Sequence, residues 1–209
     1  MVVKMTITYQ IGKSVYVNLT NRCPCACTFC LRANGPGVGG SPSLWLEREP
    51  TLDEVLASLG EWDYSRFREV VFCGYGEPTE RLGILLAAAE RLKERDSALR
   101  VRVNTNGLSD LINGRPTAEL FSGKVDCLSI SLNTDDPAEY LAVCRPRFGE
   151  AAYPAMLAFA KAAAVAVPEV VMTVVGEPVT TPAQQARCAE IASSLGARLR
   201  VRPCEGASR

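Results

Sequence analysis

Short β-branched runs alternate with helix-length segments along this chain, and no block of it is all strand or all helix. Ser14 to Thr20 (SVYVNLT) reads as a first strand, Glu69 to Cys73 (EVVFC) as a second and Arg100 to Asn104 (RVRVN) as a third, each rich in residues that fit a pleated surface. Val125 to Leu132, Val170 to Val175 and Leu199 to Arg202 continue the series. Helical stretches lie between them. Thr51 to Trp62 opens on a capping box formed by Thr51 and Glu54, and Glu80 to Glu94 repeats leucine and alanine at helical spacing. A broken helical region reaches Ser122, and Pro137 to Val143, Tyr153 to Val165 and Pro182 to Leu195 follow, the last ended by Gly196.

Repeats of this kind argue for a parallel sheet covered by helices, and right-handed crossovers leave an open doubly wound sheet or a partial barrel. A closed eightfold barrel typically needs about 250 residues, more than the 209 present. The expected fold class is α/β with parallel strands, in one domain over residues 1–209. In either arrangement functional groups collect at the carboxyl ends of the strands. One segment breaks the rhythm: Leu31 to Pro50 is a Gly/Pro-rich connection far longer than an ordinary βα loop. Trp45 and Leu46 within it favour a loop that folds back over something.

The chain has no histidine. That excludes a His triad, His-ligated zinc or haem, and imidazole acid/base chemistry. Nine cysteines stand against this absence, four of them (Cys23, Cys25, Cys27, Cys30) in one short loop after the first strand, within residues 21–32. Met1 to Gly12 alternates apolar and polar residues and reads as no signal peptide, and no apolar run is long enough for a membrane span, so a cytoplasmic location is expected. In a reducing compartment clustered cysteines point to metal or catalysis rather than disulfides. The 23 basic and 23 acidic residues balance, so no general nucleic-acid or membrane binding is expected.

Cys23, Cys27 and Cys30 together give C-x3-C-x2-C. Thiolates ligate iron–sulfur clusters, and a cubane held by three of them leaves one iron with an open position. A four-cysteine zinc site needs a second C-x2-C, which the sequence lacks, and a thioredoxin-like Cys27/Cys30 pair leaves Cys23 unexplained. Cys25 interrupts the spacing and is expected to be a non-ligand. These residues resemble the signature of the radical S-adenosylmethionine superfamily, in which an aromatic residue, here Phe29, precedes the last cysteine. The resemblance covers essentially the whole chain. It implies a partial (βα)6 TIM-like barrel, a 4Fe-4S cluster on Cys23, Cys27 and Cys30, and S-adenosylmethionine chelated by the open iron. One-electron cleavage then gives methionine and a 5′-deoxyadenosyl radical that abstracts hydrogen from substrate.

The remaining strand ends fit the same resemblance. Gly74-Tyr75-Gly76-Glu77-Pro78 follows the second strand, where glycines permit close approach of a ligand to the backbone. It is similar to the superfamily's G-G-E-P element for the methionine amino group, which implies cofactor contacts from Gly74, Gly76, Glu77 and Pro78. Asn104 and Thr105 match a T-N-G element, although an Asn-Gly turn is the plain reading of Asn106-Gly107. Alternation puts Ser129, Ser131 and Asn133 on one face of the fourth strand, where buried polar groups need partners; the resemblance implies Ser131 and Asn133 as cofactor contacts. The fifth strand ends in Val175-Gly176-Glu177-Pro178, open to close approach by the adenine. Arg145 and Arg147, like Arg22 and Arg32, read either as solvent-facing charge or as an anion clamp.

At finer grain the cysteine loop, Trp45 to Pro50 and Gly74 to Pro78 resemble the small TatD-linked radical S-adenosylmethionine group. The balanced charge argues for a small-molecule or single protein substrate, and a separate flavodoxin or ferredoxin is expected as electron donor. Two other branches stay open, one resembling 7-carboxy-7-deazaguanine synthase and one resembling glycyl-radical activases. Outside the superfamily the alternative is a non-catalytic iron–sulfur electron carrier or thiol redox protein.

Overall fold

The computed structural model describes residues 5–204. Seven strands form one sheet in chain order: β1 (Thr8–Ile11), β2 (Ser14–Val17), β3 (Glu69–Phe72), β4 (Arg100–Thr105), β5 (Cys127–Ser131), β6 (Glu169–Val175) and β7 (Arg198–Arg202). β1 and β2 pair antiparallel, and every later pairing is parallel. The helices between them are α1 (Leu52–Gly60), α2 (Leu82–Arg95), α3 (Ser109–Asn113), α4 (Pro137–Cys144), α5 (Ala152–Ala166) and α6 (Pro182–Ser194). A doubly wound sheet needs a point where strand order reverses. The strict sequential order has none, so the winding is that of a partial barrel, with β1 and β7 as its two unpaired edges.

The expected elements fall at the expected places, with the Thr51/Glu54 capping box formed. β1 is an addition to the expected strands, four residues within the alternation of Met1 to Gly12; Gly12, at φ 57°, turns that strand back into β2. The region ending at Ser122 resolves into α3 and a 3-10 turn at Ala118–Phe121.

Strand periodicity divides the sheet by chemistry. Val15, Val17, Val70, Phe72, Val101 and Val103 face outward into the main core, against Leu85, Ala89 and Leu92 of α2 and Met156 and Phe159 of α5. The other face carries Tyr16, Arg102, Asn104, Ser131 and Arg200, which line a cavity. Ion pairs close its amino-terminal end. Glu69 accepts from Ser14 Oγ at 3.1 Å and pairs with Arg102 at 2.8 Å, while Glu169 pairs with Arg198 at 2.6 Å and with Arg100. Among the described residues no helix is long and apolar enough to cross a membrane.

Phe159 is fully buried with its ring edge-on to Phe121, centroids 6.2 Å apart. Phe159→Ala is expected to lower the unfolding free energy by about 3–5 kcal/mol in urea denaturation, whereas Val165→Ala, at a position 90% exposed, shifts it by less than about 0.5 kcal/mol.

Candidate active site

The carboxyl ends of the strands surround a cavity of about 530 Å³, within the range of small-molecule sites. Cys23, Cys27, Cys30 and Phe29 line it from the loop after β2, and Cys25 lies among them. Gly74, Gly76 and Glu77 line it from the turn after β3, Asn104 and Thr105 from β4, and Ser131 and Asn133 from the end of β5. Pro78 stands outside the lining, buried at the start of a 3-10 turn over Pro78–Arg81. At the end of β6 Val175 reaches the cavity, while Gly176 N–H in the turn after it is tied to the Arg202 carbonyl at 2.8 Å.

The cysteine loop is gripped on two sides. At the end of α4 and just after it, Ala26 N–H donates to the Cys144 carbonyl at 3.0 Å, Thr28 N–H to that of Val143 at 2.9 Å and Arg147 N–H to that of Pro24 at 2.8 Å. Cys25 bridges Pro146 in the same antiparallel fashion. On the other side Glu77 N–H donates to the Arg22 carbonyl at 2.8 Å. A Cβ on Gly76 would sit 2.3 Å from the Thr20 carbonyl oxygen and 2.6 Å from that of Arg22, and one on Gly74 would sit 2.0 Å from Asn18 Oδ1. Both glycines are therefore required by the close packing of the β3 turn on the cysteine loop, a constraint the reading of a ligand-approach turn had not supplied.

All nine cysteines are free. The pKa values of the thiols around the loop are shifted in opposite directions. The Cys25 thiol bonds toward Cys23 and Cys27, which pushes its own pKa up and holds that of Cys23 below the usual thiol value. Cys27 is brought down to about 4, first by the Cys144 thiol and then by Cys25. Cys144 is correspondingly raised by Cys27 and by burial, with Asn133 Nδ2 donating to its sulfur at 3.3 Å. The two lowered thiols, Cys23 and Cys27, are members of the C-x3-C-x2-C spacing, and the thiolate is the form that binds metal. Arg32 Nε donates to Cys30 Sγ at 3.3 Å. The donor set of thiols on one loop at a cavity wall suits an iron–sulfur group.

Glu77 is buried beneath the cavity and its carboxylate is fully engaged. Oε1 accepts from Thr105 Oγ1 at 2.7 Å, Thr79 Oγ1 at 2.8 Å and Thr79 N–H at 3.1 Å, and Oε2 accepts from Asn106 N–H at 2.7 Å. Burial raises its pKa while these bonds oppose the rise. Glu77 and Thr105 therefore join the β3 and β4 ends to each other. Asn133 is different: φ is 66°, a left-handed conformation that asparagine tolerates, and its buried Oδ1 has no hydrogen-bond partner. Ser131, half exposed at the same wall, is likewise placed to meet a ligand.

The long loop does fold back. Asn18 Nδ2 donates to the Leu44 carbonyl at 2.7 Å, Asn21 exchanges two bonds with Leu46 at 2.7 and 3.0 Å, and Tyr75 Oη donates to the Gly35 carbonyl at 2.6 Å. Leu44 packs with Tyr9 and Tyr75 in a second small core, and Trp45 meets the Tyr75 ring edge-on. Glu49 anchors the loop's end through Arg22, Arg81 and Thr20. Arg145 and Arg147 lie outside the cavity lining, the latter over the Phe148 ring and 3.4 Å from Glu80. The arginines that reach the cavity are Arg32, Arg102, Arg200 and Arg202. The last three were missed, though RVRVN and RLRVR put charge at every second position of strands that a parallel sheet buries.

Fold and site together define a partial βα barrel that carries a three-cysteine loop at the carboxyl end of its first parallel strand. Residues 17–187 match the family described as Radical SAM superfamily, and the chain belongs to that superfamily. It is 29% identical over 148 residues to a GTP 3′,8-cyclase of Corynebacterium glutamicum, covering 65% of this chain and 35% of that protein. It is 29% identical over 117 residues to a dual-specificity RNA methyltransferase RlmN of Sulfurimonas denitrificans, covering 51% and 30%. The chain thus spans about a third of the length of these curated relatives. Streptococcus suis SuiB bound to S-adenosylmethionine shares the fold at a TM-score of 0.68 and 18% identity, over 95% of this chain and 40% of that one.

Gly76→Ala is expected to displace the cysteine loop, losing about 2 kcal/mol or more of stability and most of the bound iron after reconstitution, read by iron analysis and thermal melting. Gly83→Ala, in α2 with nothing within 4 Å of the added carbon, gains about 0.5–1 kcal/mol and keeps its iron.

Proposed function

We propose that this chain is a radical S-adenosylmethionine enzyme whose 4Fe-4S cluster is held by Cys23, Cys27 and Cys30. The observation that carries the reading is the placement of these thiols on the wall of the same cavity that Ser131 and the unpartnered Asn133 Oδ1 line. When bound, the cluster and S-adenosylmethionine supply one-electron cleavage of the sulfonium and a 5′-deoxyadenosyl radical for hydrogen abstraction. The chain's part is binding, orientation and exclusion of water. Phe29 and Val175 give apolar wall, Asn133 and Ser131 offer hydrogen bonds to amino or hydroxyl groups of the cofactor, and Glu77 with Thr105 fixes the turn that faces the cysteines. Pro78 and Thr105 serve this geometry as positioning residues rather than as contacts. Cys25, whose pKa Cys23 and Cys27 push up, is a non-ligand.

The finer assignment is to the small TatD-linked group, supported by the cysteine loop, Trp45 to Pro50 and Gly74 to Pro78. In this reading residues 1–209 act as one cytoplasmic domain, oxygen-sensitive through its cluster and served by a flavodoxin or ferredoxin. A cavity beside the thiols favours an enzyme over an iron–sulfur electron carrier, which has no use for such a volume.

The test is anaerobic reconstitution with iron and sulfide, then dithionite and S-adenosylmethionine, with 5′-deoxyadenosine measured by chromatography. Nucleoside formation is expected; an intact cluster without it sinks the proposal. Cys27→Ala should lose the brown chromophore and the product together. Cys25→Ala should keep the chromophore, and its loss there would show that the ligand register is wrong.

A further inference from the structure

Arginine is the commonest charge on the inner face of the sheet, and not all of it is balanced. Arg102 has a counter-ion: its guanidinium meets Glu69 at 2.8 and 3.1 Å. Arg200 and Arg202 do not. They lie two residues apart on β7, on the face that lines the cavity, and among the described residues neither makes an ion pair. Arg200 Nη2 donates to Ser129 Oγ at 3.0 Å, but its Nε is buried without an acceptor, and so is Nε of Arg202. Glu77, the acid on the cavity wall, has both oxygens committed to four donors. Burial, with Arg102 and Arg202 adding like charge, lowers the pKa of Arg200 below the usual guanidinium value.

A buried N–H without an acceptor costs about 1–3 kcal/mol, and two like charges crowded in a partly dry cavity add to that cost. Such an arrangement is stable in function when a ligand supplies the missing acceptors. A fork of N–H donors matches the planar carboxylate or the phosphate group, and two arginines at alternate strand positions, about 7 Å apart along the backbone, converge on one such group. Register places Arg200 beside Thr173, which in turn pairs with Ser131. The pair therefore stands at the far edge of the sheet from the cysteine loop, which follows β2.

We propose that Arg200 and Arg202 form a subsite for a carboxylate or phosphate group of the substrate, so that the hydrogen donor is an anion held across the cavity from the cluster. This deepens the radical S-adenosylmethionine reading and rests on it for the word substrate; the binding site itself stands on the two unpaired arginines.

The experiment is calorimetric titration of the reconstituted protein with inorganic phosphate, pyrophosphate and malonate, each with and without saturating S-adenosylmethionine. At least one anion is expected to bind equally well in both conditions. Arg200→Gln and Arg202→Gln should each weaken it by about tenfold or more, Arg200→Lys by less, and Arg145→Gln, outside the cavity, not at all. Relief of the charge crowding should also raise the melting temperature of Arg200→Gln in anion-free buffer, a readout that separates lost binding from lost folding. Competition between the anion and S-adenosylmethionine would overturn the proposal by assigning the subsite to the cofactor's own carboxylate. Unchanged anion affinity in both glutamine variants would overturn it outright. Because anion binding is read without turnover, absence of 5′-deoxyadenosine in the wild-type protein would count against the enzymatic reading alone.

Discussion

The cysteine loop depends on backbone contact more than on any side chain within it. The Arg22 carbonyl receives Glu77 N–H, and the Gly76 backbone passes so close to Thr20 and Arg22 that no Cβ fits. On the opposite side residues 143–147 lend their carbonyl groups and an N–H to the loop in a short antiparallel ladder. A segment with no regular structure of its own is thus held between two helix–strand units. This lets three thiols keep a defined relation to the cavity before any group binds them, which is the preorganisation that a reactive centre requires.

From that grip the rest of the site follows. Glu77 N–H holds the cysteine loop, its carboxylate holds Thr105 and Asn106, and Thr105 Oγ1 accepts from Gly107 N–H at 3.1 Å, so one acidic residue connects three consecutive strand ends. Its burial would be unfavourable without this full complement of donors. The absence of histidine gains meaning here. The groups around the cavity bind and orient through amide, hydroxyl, thiol and guanidinium, and initiation of the proposed reaction asks for no proton transfer by the chain.

Much of this was legible in the sequence, for physical reasons that differ by element. The βα rhythm fixed the strands, because buried parallel strands read as β-branched runs, and the C-x3-C-x2-C spacing located the thiols that the structure sets at the cavity. The polar alternation of Ser129, Ser131 and Asn133 pointed correctly inward. What one-dimensional pattern could not carry was proximity between distant segments. The glycines of the β3 turn looked like ligand-approach positions, and only their contacts with Asn18, Thr20 and Arg22 show a packing demand. Arg145 and Arg147, conspicuous beside Pro146, lie outside the cavity lining, while Arg200 and Arg202 were hidden in what read as one more strand of the series. The four residues of β1 were too few to stand out as a strand within the apolar/polar alternation of Met1 to Gly12.

If Cys23, Cys27 and Cys30 hold the cluster as proposed, one of its irons would be open to a cofactor in the adjoining cavity. Electron paramagnetic resonance of the dithionite-reduced, reconstituted protein tests it directly. The account predicts the spectrum of one reduced 4Fe-4S cluster per chain, with g-values that change when S-adenosylmethionine is added. A spectrum unaltered by the cofactor, from a fully loaded cluster, would contradict it.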